Sequence, residues 1–70
     1  MKLTKREREI LPLLCLSNKQ ICNRLHITDG TVKTHIYNII SKFPEQANRS
    51  SIVLEAVKCG IIKIDEVVTS

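Results

Sequence analysis

The polar side chains between residues 31 and 42 could together bind a negatively charged polymer. Each of them donates hydrogen bonds or carries a positive charge; the set comprises Thr31, Lys33, Thr34, Tyr37, Asn38, Ser41 and Lys42. Residues 31–42 contain no carboxylate, and the nearest one before them is Asp29. A helix face that meets only water usually mixes both signs of charge. A face laid between rows of phosphates has to exclude acids, so the pattern favours contact with nucleic acid.

The charge of the chain is distributed unevenly. The 70 residues carry a formal net charge of +4, from 11 Lys and Arg against 7 Asp and Glu. Nine of the basic residues but only four of the acidic ones precede Ser50, which leaves the remaining segment close to neutral. A basic first part favours a polyanionic partner, and a near-neutral end favours a separate docking surface.

Apolar residues recur at helical spacing in four stretches of the chain. The predicted helices cover about residues 5–15, 18–25, 29–43 and 50–60. Capping boxes mark two of the starts, Thr4 with Glu7 and Ser17 with Gln20, and Thr28 caps the third helix. No stretch predicts a strand, so we expect an all-α fold with four helices.

Three residues, His26–Ile27–Thr28, join the second predicted helix to the third. Helices on so short a connection cross steeply, which predicts a helix-turn-helix unit. His26 falls where the chain needs a positive φ, and histidine is one of the residues besides glycine that adopt it. The polar side chains of residues 31–42 then lie on the second helix of this unit.

Three segments of the chain carry a more specific pattern: LTKREREIL, LSNKQICNRLHITDGTVKTHIYNIISKF and NRSSIVLEAVKCGII. They resemble the LuxR-type DNA-binding domain of bacterial transcription regulators over about residues 3–62, with 63–70 as a tail. The resemblance implies one domain over residues 1–70 whose third helix enters the major groove and whose fourth dimerises. The chain departs from the pattern at Pro12, whose missing N–H should kink or shorten the first helix.

The resemblance also implies which residues touch double-stranded DNA, the expected partner. The predicted base contacts are Lys33, Thr34 and Tyr37. The predicted phosphate contacts are Asn18, Lys19, Thr31, Asn38 and Arg49. A lysine can donate to O6 and N7 of guanine, and a threonine can offer its methyl group to thymine.

The fourth helix has more apolar positions than one small core can cover. We therefore predict a two-fold contact that pairs two copies of the chain on neighbouring half-sites. The residues predicted to form this homodimer interface are Leu54, Val57, Lys58 and Ile61.

Catalysis and metal binding find little support in the sequence. No nucleophile with its base and no glycine-rich phosphate loop is present, so we expect neither an enzyme nor a cofactor. Glu7 and Glu9 are predicted to act as a cap and as a salt-bridge partner, with Arg24 as the opposite charge. Cys22 and His26 stand four residues apart, but no second pair completes a metal site, so we predict no metal.

Two other interpretations stay open: a domain like sigma-factor region 4, and a helix-turn-helix protein that modulates another regulator without binding DNA. The apolar stretches are too short to span a bilayer, and the first residues lack the apolar core of a secretory signal. We expect a cytoplasmic, nucleoid-associated protein with no small-molecule ligand in this domain. The chain is either a small regulator or the DNA-binding end of a longer one.

Overall fold

The computed structural model describes residues 2–46 and 48–68. Within this part of the chain there are four α-helices, two short 3₁₀ turns and no strand, so the all-α prediction is confirmed. In chain order the elements are α1 (Lys5–Ile10), a 3₁₀ turn (Leu11–Leu13), α2 (Asn18–Leu25), α3 (Asp29–Ser41), α4 (Arg49–Lys58) and a second 3₁₀ turn (Ile64–Glu66). None of the described helices is both long and apolar enough to cross a bilayer.

Helix α1 is shorter than the predicted span of residues 5–15, and Pro12 is the physical reason. Proline has no N–H to donate one turn back, so the α-helical ladder ends at Ile10 and tightens into the first 3₁₀ turn. The N–H of Leu16 then donates to the carbonyl of Leu13 at 2.9 Å. The carbonyl of Pro12 is left to accept the N–H of Val68 at 3.0 Å.

The last two described residues, Val67 and Val68, pack on the core. Val67 and Val68 are half-buried against the core, and the Val68–Pro12 hydrogen bond ties them to the first 3₁₀ turn. Residues 69 and 70, which belong to the predicted tail, lie outside the described residues.

The core gathers apolar side chains from all four helices, from the first 3₁₀ turn and from connecting segments. The apolar residues of the third predicted helix that recur at steps of four, three and four are all buried: Val32, Ile36, Ile39 and Phe43. Helix α3 nevertheless ends at Ser41 rather than at residue 43. The other buried apolar side chains are Ile10, Leu11, Leu13, Leu14, Leu16, Ile21, Ile52, Val53, Ala56 and Ile62. This core fixes how α3 is presented to the outside.

Helix α4 begins one residue before the predicted start because Asn48 is its cap. The side chain of Asn48 accepts the N–H of Ser51 at 2.9 Å. The helix ends at Lys58, two residues before the predicted end, and Gly60 follows with a left-handed φ of 77°. The N–H of Ile61 reaches back to the carbonyl of Ala56 at 2.9 Å, which completes the turn that a left-handed glycine permits.

One ion pair joins α1 to the residue that follows α3. Glu7 is only 2% exposed, and its Oε1 lies 2.5 Å from Nζ of Lys42, just after α3. The same oxygen accepts the backbone N–H of Thr4 at 2.9 Å, so the predicted capping box is present as well. The prediction of Arg24 as the opposite charge is wrong, because Glu7 pairs with Lys42 and Glu9 pairs with Arg6.

Because of this ion pair, the stability of the fold should depend on pH. The hydrogen bond from Lys42, and then the one from the Thr4 N–H, lower the pKa of Glu7 below its ordinary value of 4.5. A lowered folded-state pKa means that Glu7 stabilises the fold above that ordinary value, and that this contribution is lost as the pH falls through the folded-state pKa. Denaturant unfolding between about pH 7 and pH 3 should therefore show a falling free energy of unfolding.

The variant Glu7→Gln isolates this contribution. At neutral pH this variant should be less stable than the wild type, because it loses the ion pair with Lys42. It should lose less stability on acidification, because position 7 then carries no carboxylate that could take up a proton. Glu9→Gln is the matched control, since Glu9 is exposed and should leave the wild-type pH profile almost unchanged. Equal slopes for the wild type and Glu7→Gln would show that another carboxylate governs the acid response.

Candidate nucleic-acid interface

Helices α2 and α3 form the predicted helix-turn-helix unit. His26 ends α2 with φ 55° and ψ 45°, so the positive φ predicted at this position is confirmed. Ile21 of α2 and Val32 of α3 are completely buried, and Cys22 and Ile27 are half-buried against the same core. The turn therefore holds α3 at a fixed angle with its opposite face outward.

Six of the seven polar side chains that the sequence places on this face are exposed. They are Thr31, Lys33, Thr34, Tyr37, Asn38 and Ser41. The seventh, Lys42, points instead to the buried carboxylate of Glu7, so the prediction that it belongs to the same face is wrong. The three predicted base contacts thus lie together on the outside of α3.

Two hydroxyl groups of this face are already engaged with the helix backbone. Oγ1 of Thr34 donates to the carbonyl of Gly30 at 3.0 Å, and Oγ of Ser41 donates to the carbonyl of Asn38 at 2.7 Å. A hydroxyl whose proton is used in this way still offers lone pairs, and threonine also offers its methyl group. Thr34 therefore presents an apolar group and an acceptor to a ligand, not a donor.

Lys33 is paired with Asp29, one turn earlier on the same helix. Nζ of Lys33 lies 3.0 Å from Oδ2 of Asp29, and the two side chains are 67% and 56% exposed. This contact was not predicted from the sequence. The signal was present, since residues four apart on a helix are neighbours.

The starts of α2 and α4 meet beside an open cleft of about 640 Å³, which Ile40 of α3 also lines. Arg49 donates from its two terminal nitrogens to Oδ1 of Asn18 at 2.9 Å and to the carbonyl of Leu16 at 3.0 Å. Its Nε is buried without a hydrogen-bond partner within the described residues, and burial lowers the pKa of the guanidinium. The structure thus brings two predicted phosphate contacts together, while Lys19 and Thr31 are exposed.

The sequence of the chain matches that of known regulatory proteins. Residues 1–56 match the family described as bacterial regulatory proteins, luxR family. The chain belongs to this family. It is therefore a LuxR-type helix-turn-helix DNA-binding domain of the kind found in bacterial transcription regulators, as the sequence predicts. No solved structure matches the chain.

Two curated relatives of this LuxR-type domain are much longer than the segment that it matches. It is 43% identical over 63 residues to the Transcriptional regulatory protein LnrK of Bacillus subtilis (strain 168), which covers 87% of this chain and 28% of the relative. It is 44% identical over 63 residues to the Response regulator protein VraR of Staphylococcus aureus (strain NCTC 8325 / PS 47), with 87% and 30% covered. The chain spans less than a third of the length of these relatives.

The residues predicted to pair two LuxR-type domains differ in how they are placed on α4 and just after it. Leu54 is 57% exposed, and Lys58 is exposed beside it on the same helix. Val57 and Ile61 are half-buried and pack against the core of their own chain. Of the three predicted apolar contacts, Leu54 is therefore the one whose side chain is most available to a partner.

Proposed function

We propose that this domain binds double-stranded DNA sequence-specifically, with α3 in the major groove. The observation that supports the proposal best is the exposed face of α3, which is rich in donors and carries Asp29 as its one acid, paired with Lys33. The helix-turn-helix packing holds this face outward, and the second helix of such a unit is the one that fits the groove. The net charge of +4 favours approach to a polyanion.

The base contacts follow from the groups that α3 presents. Lys33 donates to O6 and N7 of guanine. Thr34 offers its methyl group to the methyl of thymine, because its hydroxyl proton is engaged with the carbonyl of Gly30. Tyr37, one turn further on, reaches a base edge or a phosphate through its phenol oxygen.

The phosphate contacts surround these base contacts. The amides at the start of α2 favour a backbone phosphate, and Lys19 adds a positive charge there. Arg49 holds Oδ1 of Asn18, which leaves the amide nitrogen of Asn18 to donate to a phosphate. Thr31 and Asn38, exposed on α3, complete the set.

The wider role proposed for the chain follows its relatives. They are named as a transcriptional regulatory protein and a response regulator protein, and each is more than three times as long as the matched segment. We propose that this domain is the DNA-binding part of such a regulator, acting at the nucleoid as a homodimer. Control by a signal, a cofactor or a ligand then belongs to other parts of the regulator, and the domain needs none to bind.

Two lysine substitutions test the proposed interface. Lys33→Ala should cost about 1–3 kcal/mol of binding free energy on a site selected from random duplexes and should relax the preference at one base position. Lys19→Ala should weaken binding to all sequences about equally and flatten the slope of log K against log[salt] by about 1. Fluorescence anisotropy titrations on selected and random duplexes, each at several salt concentrations, measure both effects.

The same titrations distinguish DNA binding from the alternative function, the modulation of another regulator through protein contacts. A wild-type domain that binds no duplex with a clear salt dependence would contradict the proposed function and favour a module that modulates another regulator through protein contacts. Equal losses for Lys33→Ala on selected and random duplexes would mean that Lys33 positions the domain and reads no base.

A further inference from the structure

Asp29 stands where a DNA-reading helix contacts base edges. It is the first residue of α3, and the N-terminal residues of such a helix are the ones that reach the bases in the groove. Its carboxylate lies 3.0 Å from Nζ of Lys33, the proposed reader of guanine, and both groups are more than half exposed. A negative charge at this place is repelled by the phosphates on both sides, so it needs a compensating contact.

The ion pair presents a charged acceptor and a charged donor side by side, and one base pair shows the complementary arrangement. In the major groove a G·C pair displays O6 of guanine, an acceptor, next to N4 of cytosine, a donor. These two atoms are joined by a Watson–Crick hydrogen bond and therefore lie about 2.9 Å apart. The ammonium of Lys33 and the carboxylate of Asp29 have nearly the same spacing.

We infer that Asp29 determines specificity: together with Lys33 it reads one G·C pair as a unit and fixes which strand carries the guanine. This rests on the proposed function, namely that α3 enters the major groove. Lys33 alone is long and flexible, and it can reach a guanine on either strand. Asp29 removes that freedom by accepting a hydrogen bond from the cytosine N4 amino group while Lys33 donates to O6 and N7 of guanine.

The three other base pairs fit the ion pair less well. An inverted C·G pair sets the carboxylate against O6 and N7 of guanine, so that acceptors face each other, and sets the ammonium against the amino group. A T·A pair keeps the order of acceptor and donor but replaces guanine N7 by the methyl group of thymine, and A·T has the order reversed. The expected preference is thus G·C first and the inverted C·G strongly disfavoured.

The variant Asp29→Asn tests this reading. An amide offers both a donor and an acceptor, so it accommodates either orientation of the pair. Selection from a library of random-sequence duplexes should give the wild-type domain at least about a tenfold preference for one orientation of a G·C pair at one position. Asp29→Asn and Asp29→Ala should reduce that preference to about threefold or less, while affinity for random duplexes rises about twofold with the loss of one negative charge.

Asp65→Asn is the matched control. It makes the same substitution and the same change in net charge, but on the second 3₁₀ turn rather than on α3. Its selected sequences should equal those of the wild type, so any loss of orientation in Asp29→Asn is not an effect of overall charge. Thermal unfolding followed by circular dichroism establishes that each variant is folded at the temperature of the selection.

The possible outcomes distinguish a failure of the role of Asp29 from a failure of the proposed function. If the wild type and Asp29→Asn both bind tightly, with a salt dependence and with identical base preferences, the role of Asp29 would be overturned and the proposed function would stand. A shift in the melting temperature of Asp29→Asn with unchanged preferences would also overturn it, because the ion pair would then only stabilise the helix. A wild-type domain that selects no sequence would remove the proposed function, and the inference with it.

Discussion

Replacing Lys42 with methionine is expected to lower the free energy of unfolding by about 3 kcal/mol at neutral pH. The substitution keeps most of the apolar stem but leaves the carboxylate of Glu7, 2% exposed, without its opposite charge. Removing one partner of a buried pair costs more than the pair itself contributes, because the remaining charge stays desolvated. The expected loss is at the low end of the usual range, since Lys42 retains some contact with water.

Urea unfolding followed by circular dichroism measures this loss, and Lys33→Met is the matched control. It makes the same substitution within α3 rather than just after it, but Lys33 is exposed and its pair with Asp29 contributes at most about 0.5 kcal/mol. The double variant Glu7→Gln/Lys42→Met should recover much of the loss, because no buried charge remains and glutamine can still accept the N–H of Thr4. Equal destabilisation by Lys42→Met and Lys33→Met would show that the buried pair has no special role.

So large an effect matters for a domain of this size. At 70 residues the apolar burial and the ordering entropy nearly cancel, so a loss of about 3 kcal/mol approaches the whole stability of the fold. The pair also fixes the end of α3 to the start of α1, which holds the exposed face of α3 at its angle. Bound DNA should partly restore a weakened variant, because a ligand that binds only the folded state stabilises it.

The sequence predicts the parts of this fold that local chemistry decides. The capping residues Ser17 and Thr28 mark where α2 and α3 begin, and both are confirmed to the residue. His26 was expected at a positive φ because it falls in the short turn between the two helices and histidine is among the residues that adopt this conformation, and the structure agrees. The outward face of α3 follows from the same periodicity that buries Val32 and Ile36.

Contacts between distant segments were not predictable in this way. Glu7 and Lys42 are separated by 35 residues, and no local pattern in the sequence pairs a residue before Ile10 with one after Ser41. The hydrogen bond of Arg49 to Asn18 has the same character, because it depends on how α4 is placed against α2. Pro12 was predicted to shorten the first helix, but nothing in the sequence shows that its free carbonyl binds the end of the chain.

Replacing Leu54 with glutamate is expected to weaken binding by about 100-fold on a duplex that carries two half-sites in inverted orientation, about 10 base pairs apart. Leu54 is an exposed leucine on α4, and burying it between two copies would link the two binding events into one. A charge at this position would be desolvated in the dimer. In the single chain it meets water, so the free energy of unfolding should change by about 0.5 kcal/mol or less.

Ile64→Glu is the control that gives the dimer prediction its force. Ile64 is 68% exposed, so the variant removes a similar apolar surface and adds the same charge. The position lies on the second 3₁₀ turn, outside the predicted interface. Sedimentation of each protein with the two-site duplex should show two copies bound cooperatively for the wild type and Ile64→Glu, and independent binding for Leu54→Glu. On a duplex with one half-site all three proteins should bind about equally, because a lone domain needs no partner there. Losses of the same size for both variants on both duplexes would show that Leu54 acts through charge near DNA and not through a second copy of the chain.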